Sequence, residues 1–173
     1  MNKNFILNII LIYFLTSCSH NKEKQETAEL IYNQAITYFE EGQLYSAREK
    51  FQYLESNFPY SDLVVKGEIY SAFISYSIKE YDQTITLCDK FIKLHPVNQY
   101  VSYIYYLKAI SLYQQINDKY RDQSTSHKAI KSLKELIARF PNSEFEIDAG
   151  EKLLLLNNRI AASINNIGKF YLF

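Results

Sequence analysis

Few side chains in this 173-residue chain are suited to chemistry: two cysteines and three histidines stand out among nineteen carboxylates. The histidines His20, His95 and His127 lie far apart, so no pair has metal-ligand spacing on one helix face. There is also no glycine-rich phosphate loop and no Gly-x-Ser-x-Gly elbow. The residues therefore predict no catalytic group, no metal site and no enzyme, and they leave Cys18 and Cys88 to be explained.

Cys18 follows a segment with the parts of an export signal. Lys3 supplies a positive charge, residues 5–15 form an apolar run, and Thr16 and Ser17 are small. The run is too short to cross a membrane, because a spanning helix needs about 20 apolar residues. Residues 1–17 are therefore predicted to be a signal peptide.

The string Leu-Thr-Ser-Cys that ends at Cys18 resembles the bacterial lipobox. The resemblance implies cleavage between Ser17 and Cys18, a covalent lipid on Cys18 and no other cofactor. Ser19 implies outer-membrane sorting by the same resemblance, and residues 18–27 then form a polar tether. The alternative is an ordinary cleaved signal followed by a chance cysteine. With Cys18 acylated, Cys88 has no disulfide partner and is expected to be a buried small hydrophobe.

The composition favours helices and argues against nucleic-acid binding. Gly 4 and Pro 3 leave few breakers, whereas Tyr 16 and Phe 11 offer many packing rings. Nineteen basic and nineteen acidic residues cancel, so no positive field attracts a phosphate backbone. We expect an all-α domain.

The three prolines, Pro59, Pro96 and Pro141, each follow an amphipathic stretch. Because proline cannot continue a helix and disfavours helical geometry in its predecessor, Phe58, His95 and Phe140 are predicted to mark helix ends. The separations of 37 and 45 residues indicate a helical repeat. A polar loop over 117–126, which includes Arg121 and Asp122, accounts for the longer spacing.

Small residues recur at fixed distances before these prolines and resemble the tetratricopeptide repeat, in which they let two antiparallel helices pack closely. The resemblance implies an all-α, tetratricopeptide-like helical-hairpin solenoid of about three and a half repeats over residues 28–173. Residues 148–171 would form the first helix of a fourth unit. The alternative is three hairpins with no repeat relationship. Glu68 falls where an apolar residue is expected, so the register of unit two stays open by one residue. The small positions are Ala35, Ala47, Ala72, Thr84, Ala109 and Ala129.

In such a solenoid the first helix of each hairpin lines the concave face. Here that face is rich in aromatic residues, and we hypothesise that it binds an extended, aromatic-rich peptide. Tyrosine suits this role because it combines a large contact area with low rotamer cost. Packing between repeats uses the same residue types, so a core role is the alternative at each position. The candidate groove residues are Tyr32, Phe39, Phe73, Tyr76, Tyr103, Tyr106 and Tyr113.

Longer strings carry a more specific resemblance. The chain contains four such strings in order: "IYNQAITYFEEGQLYSAREKFQYLESNFPYS", "CDKFIKLHPVNQYVSYIYYLKAISLY", "RDQS" and "LIARFPNSEFEIDAGEKLLLLNNRIA". Over residues 31–171 the chain resembles the BamD (ComL/YfiO) family of outer-membrane assembly lipoproteins. The resemblance implies a lipid-anchored scaffold on the periplasmic face of the outer membrane. Its implied partners are BamA, other subunits of the β-barrel assembly (BAM) machinery, and unfolded outer-membrane protein precursors.

Two features depart from the family pattern. The chain stops within the fourth unit, so we expect a carboxy-terminally shortened member, and Ile164 stands where the family commonly has Glu. The last helix would then leave apolar residues at 153–156 and 170–173 without a partner. An alternative function is another repeat lipoprotein, such as a secretin pilotin or a cell-envelope coordination factor. A third, an envelope hydrolase, lacks a nucleophile.

Overall fold

Seven α-helices make up the described part of the chain, which in this computed structural model comprises residues 26–116 and 123–172 and contains no strand. The predicted signal peptide and residues 18–25 of the tether lie outside these residues. The all-α prediction is confirmed. The helices are α1 (Ala28–Glu40), α2 (Leu44–Asn57), α3 (Asp62–Ser77), α4 (Tyr81–Leu94), α5 (Val101–Gln114), α6 (Gln123–Arg139) and α7 (Glu146–Leu172).

Three helices end where the prolines predicted. Helices α2 and α4 stop one residue before Phe58 and His95, whose N–H groups donate to the carbonyls of Leu54 and Phe91 at 2.9 and 2.7 Å. Helix α6 likewise stops just before Phe140. The next N–H donor is missing at proline, so the helix cannot continue.

The turns inside the first two hairpins also repeat. Gly42 and Lys79 lie 37 residues apart and both adopt left-handed geometry, with φ of 75° and 65°. The N–H groups of the following residues, Gln43 and Glu80, donate to carbonyls five residues back. This closing bond satisfies helix-end carbonyls and usually requires glycine, which Lys79 replaces at some strain.

Small residues occupy the helix contacts, as predicted. All six small positions named above are completely buried. Neighbouring helices pack in chain order from α1 to α7, and α3 also contacts both α1 and α5. This arrangement is a stack of antiparallel hairpins, in which small side chains allow close backbone approach.

Glu68 explains why the register of the second unit looked uncertain. Its side chain is only 9% exposed, yet its carboxylate lies 3.1 Å from Lys90 Nζ and 2.9 Å from His95 Nε2. Ala72, four residues on, is fully buried as the original register requires. The register therefore holds, with a paired carboxylate where an apolar side chain was expected.

Two sequence predictions need correction. The loop of 117–126 is too long at its end, because residues 123–126 form the first turn of α6. The apolar run 153–156 is not wholly unpartnered: Leu156 is 1% exposed and Leu153 packs beside it, whereas Leu154 and Leu155 face outward. Successive helical residues point about 100° apart, which divides the run between two faces. Side chains of 170–173 lie outside the described residues.

No helix in the described ranges is both long and apolar enough to span a membrane.

Candidate functional site

The seven candidate groove residues lie on the three first helices, α1, α3 and α5. Six of them are partly buried, and Phe73 is the most exposed of the seven, at 37%. Their rings, together with aromatic neighbours from other helices, form three groups that follow the solenoid axis. We call this set of rings the aromatic band.

The first group joins α1 to α3. Phe39 on α1 meets Tyr70 and Phe73 on α3 edge to face, with ring centres 5.2 and 6.0 Å apart. Phe51 on α2 stacks on Tyr70 at 5.2 Å and contacts the edge of Tyr32 at 5.8 Å. Such pairs stabilise beyond their buried area, so these rings hold the first two repeats together.

The second group joins α3 to α5. Tyr76, Tyr103 and Tyr106 pack on one buried cluster that includes Cys88. Burial, reinforced by the nearby Cys88 and Tyr76 side chains, raises the pKa of Tyr103 to about 12. Tyr76 also contacts the ring of Tyr81, at the start of α4, at 5.8 Å. The Tyr103 phenol is therefore neutral at physiological pH and acts as an apolar ring with a hydroxyl tip.

The third group joins α5 to α7. Tyr106 stacks on Phe145 at 4.7 Å and donates a hydrogen bond of 2.8 Å to an Asp148 carboxylate oxygen. Burial and this bond together raise the pKa of Tyr106. Lys152 forms an ion pair with Asp148 and lies 5.7 Å from the ring centre of Tyr113.

Asp148 is one of the acidic residues in the first turn of α7, where negative charge suits the helix dipole. Burial alone would raise its pKa, but the hydrogen bonds from Lys152 and Tyr106 outweigh burial and hold it below the usual value. It stays ionised and ties α7 to α5.

Sequence reasoning missed three rings of the band, Phe51, Tyr70 and Phe145, and the carboxylate of Asp148 that accepts a hydrogen bond from Tyr106. Their partners come from other helices at separations that no single-helix pattern displays. Gly67, three residues before Tyr70, was the available signal for Tyr70. The glycine leaves room for Phe51, which stacks on Tyr70.

Cys88 offers no reactive thiol. It is fully buried, and burial, with Asp89 nearby, raises its pKa to about 12. The prediction of a buried small hydrophobe is confirmed. Within the ranges 26–116 and 123–172, no group of three His, Cys, Asp or Glu side chains is placed to hold a metal ion.

The band presents apolar contact area and tyrosine hydroxyl tips at its surface. Its inward ring faces pack the repeats, and its outward parts leave partly exposed edges, most of all at Phe73. The peptide-binding role of the seven residues stays a prediction.

Comparison with known families gives a match over nearly all of the described chain. Residues 24–173 match the family described as "YfiO: Outer membrane lipoprotein".

Two curated relatives share the name outer membrane protein assembly factor BamD. The protein from Caulobacter vibrioides is 31% identical over 149 residues, which cover 86% of this chain and 49% of the relative. The Rickettsia prowazekii protein is 29% identical over 167 residues, which cover 95% of this chain and 66% of the relative. The chain thus spans between about half and two thirds of the length of these relatives.

Similar solved structures report on the fold. "MamA AMB-1 C2221" aligns with a TM-score of 0.57 at 14% identity, covering 84% of this chain and 75% of that one. PcrH from Pseudomonas aeruginosa aligns with a TM-score of 0.54 at 17% identity, and the alignment covers 78% of this chain and 94% of PcrH. At these identities the likeness shows the helical-repeat fold alone.

Proposed function

The chain belongs to the YfiO family of outer membrane lipoproteins, and from this premise we propose that it is a scaffold subunit of outer-membrane protein assembly. It works by holding other proteins in place and not by catalysis. The observation that carries this proposal is the family match over residues 24–173, together with relatives named as outer membrane protein assembly factors.

In this proposal the protein is held on the periplasmic face of the outer membrane by a lipid on Cys18. Residues 1–17 are removed as the signal peptide, and residues 18–27 form the tether to the helical domain that begins at 28. The support is the Leu-Thr-Ser-Cys string and the short apolar run before it. Two or more acyl chains anchor stably, because each buried methylene contributes about 0.8 kcal/mol.

The aromatic band receives unfolded outer-membrane protein precursors. A precursor strand destined for a barrel alternates apolar and polar side chains and carries aromatic residues at its ends. Partly exposed rings such as Phe73 offer apolar contact to such a strand, while tyrosine hydroxyls pair with its backbone. The other partners are BamA and further BAM subunits, with the membrane engaged through the lipid.

Pull-down of the tagged, lipidated chain from detergent-solubilised outer membranes tests the scaffold role. We expect recovery of BamA together with precursor proteins. Recovery of a secretin without BamA would instead favour a pilotin, and recovery of neither would refute the assembly role. A Cys18→Ser chain is the matched control: it should lose membrane attachment while keeping its helical content.

Depletion of the native gene product tests the same role in the cell. We expect outer-membrane barrels to fall in abundance and their unfolded precursors to accumulate. Re-expression of the wild-type chain should restore assembly. Normal barrel levels after depletion would contradict the proposal.

A further inference from the structure

The hairpin stack has two edges with different surfaces. The loops between repeats, 58–61, 95–100 and 140–145, lie at one edge with the start of α1, because each hairpin returns the chain to the same side. Core contacts confirm this placement: Ala28, Phe58 and Leu63 share one cluster. Farther along, Val101 packs with Phe140 and Phe145 in another. We call this side the between-repeat edge.

Apolar side chains project from the between-repeat edge without protein contacts to cover them. Tyr60 is 100% exposed, Val97 is 95% exposed and Ile147 is 77% exposed, and Tyr100 adds a partly exposed ring. Tyr60 and Val97 each follow a proline and lie 37 residues apart, so they hold equivalent places in successive repeats.

The opposite edge, where described, has a polar surface. Its turns expose Glu41, Gly42 and Gln43 in the first hairpin and Lys79 in the second. Tyr45 is also exposed there, but its ring is covered on one side by the Arg48 guanidinium, 5.6 Å from the ring centre. In the described turns, the exposed apolar side chains are therefore concentrated at the between-repeat edge.

The chain also leaves the domain at the between-repeat edge. Glu26, just before α1, accepts a hydrogen bond of 2.6 Å from the Tyr53 hydroxyl near the end of α2. Cys18 lies eight positions before Glu26 in the sequence. A chain of that length reaches at most about 28 Å when extended, so a membrane that holds Cys18 lies within that distance of this edge.

We propose that the between-repeat edge rests on the membrane surface, with Tyr60, Val97 and Ile147 inserted among the lipid headgroups. The proposal rests on the lipid anchor of the proposed function and adds a second contact. It would orient the hairpins upright on the membrane and fix the direction of the aromatic band. The membrane surface then supports the stack of repeats along this edge.

A lipid surface fits this edge better than a protein does. Hairpin neighbours are spaced by roughly 10 Å, so the exposed side chains form separate points and not one continuous apolar patch. A fluid headgroup layer accommodates separate points, and tyrosine prefers such interfaces. Charges of both signs lie near this edge, at Asp62, Glu144, Lys66 and Lys93, so these residues do not form a single-sign patch that would select anionic lipid.

Single tryptophans test the proposal directly, because the natural chain contains none. The lipidated full-length chain with Tyr60→Trp or Val97→Trp is reconstituted into phosphatidylethanolamine and phosphatidylcholine vesicles that contain brominated lipid. We expect a blue shift and a loss of emission by quenching at both positions. Tyr45→Trp, on the opposite edge, is the control and should keep its emission.

The outcomes separate the two proposals. Failure to float with the vesicles overturns the anchor and, with it, the membrane edge. Flotation with edge probes no more quenched than the control overturns the edge and leaves the anchor standing. A shift at the edge probes that requires an added protein partner assigns this surface to protein binding and also overturns the proposal.

Hydrogen exchange on the unsubstituted lipidated protein needs no substitution at the edge itself, and the soluble Cys18→Ser chain is its reference. Amides of loops 58–61 and 95–100 should exchange more slowly in vesicles than in detergent-free solution of the Cys18→Ser chain. The turn at 41–43 should exchange equally in both. Equal exchange at all three segments would overturn the membrane edge.

Discussion

Replacing Tyr106 with Phe removes one hydroxyl that joins the third repeat to α7. The hydroxyl donates to Asp148 at 2.8 Å, and a hydrogen bond to a charged acceptor contributes roughly 1.5–3 kcal/mol when buried. The Asp148 side chain is 41% exposed, so water competes for it and screens the interaction. We therefore expect Tyr106→Phe to lower the free energy of unfolding by about 1 kcal/mol.

A double-mutant cycle isolates this contact. Urea unfolding followed by circular dichroism should give a coupling energy of about 1 kcal/mol between Tyr106→Phe and Asp148→Asn. The Asp148 pKa lies below its usual value in the folded state, so this stabilisation is present at neutral pH and is lost as the pH falls below about 4. The coupling should therefore shrink in acid.

Tyr53→Phe is the matched control, because its hydroxyl also donates to a carboxylate, Glu26, but on the exposed surface. It should leave the free energy of unfolding unchanged within error. Equal losses for Tyr53→Phe and Tyr106→Phe, or additive effects in the cycle, would refute the reasoning that Tyr106 links two elements.

Three further predictions concern packing and ionisation. Gly67→Leu should lower the free energy of unfolding in urea by about 1–3 kcal/mol, because a Cβ at position 67 would lie only 3.1 Å from Phe51 Cδ1. Gly150→Ala should raise the free energy of unfolding by about 0.5–1 kcal/mol, because a Cβ at position 150 meets open space. Cys88 should react with a thiol reagent only at the rate of unfolding, and fast labelling of the folded chain would contradict its burial. The pKa of Tyr103 is raised to about 12, so its stabilisation is complete below about pH 10 and is lost as the pH rises toward 12. Tyr103→Phe should flatten that alkaline loss, and an unchanged pH profile would refute the assignment.

Most of the fold was predictable because local rules and repeated positions agree. Proline cannot continue a helix that precedes it, and buried alanines mark close helix contacts in each hairpin. Glu68 departs from the pattern because its partners come from elsewhere in the chain, Lys90 from α4 and His95 from the residue just after α4. A buried charge is acceptable once paired, and pairing across helices is invisible to a single-helix pattern.

The candidate site was less predictable than the fold. Helical spacing correctly put aromatic residues on the first helices, but residue type alone does not separate a packing ring from a binding ring. That distinction depends on distances such as the 4.7 Å between Tyr106 and Phe145, which bring together residues 39 positions apart. The role of Asp148 was not predictable for the same reason, since its hydrogen-bond partner Tyr106 is 42 residues away.

Site-specific photo-cross-linking tests the central claim most directly. A photoreactive residue is placed at Phe73, the most exposed member of the predicted groove, and at Tyr53 on the outer helix α2, which is 40% exposed. The lipidated chain is then mixed with an unfolded outer-membrane protein precursor. The account predicts cross-links from position 73 and few from position 53. Equal cross-linking at both positions, or cross-linking at 53 alone, would contradict a precursor-receiving aromatic band.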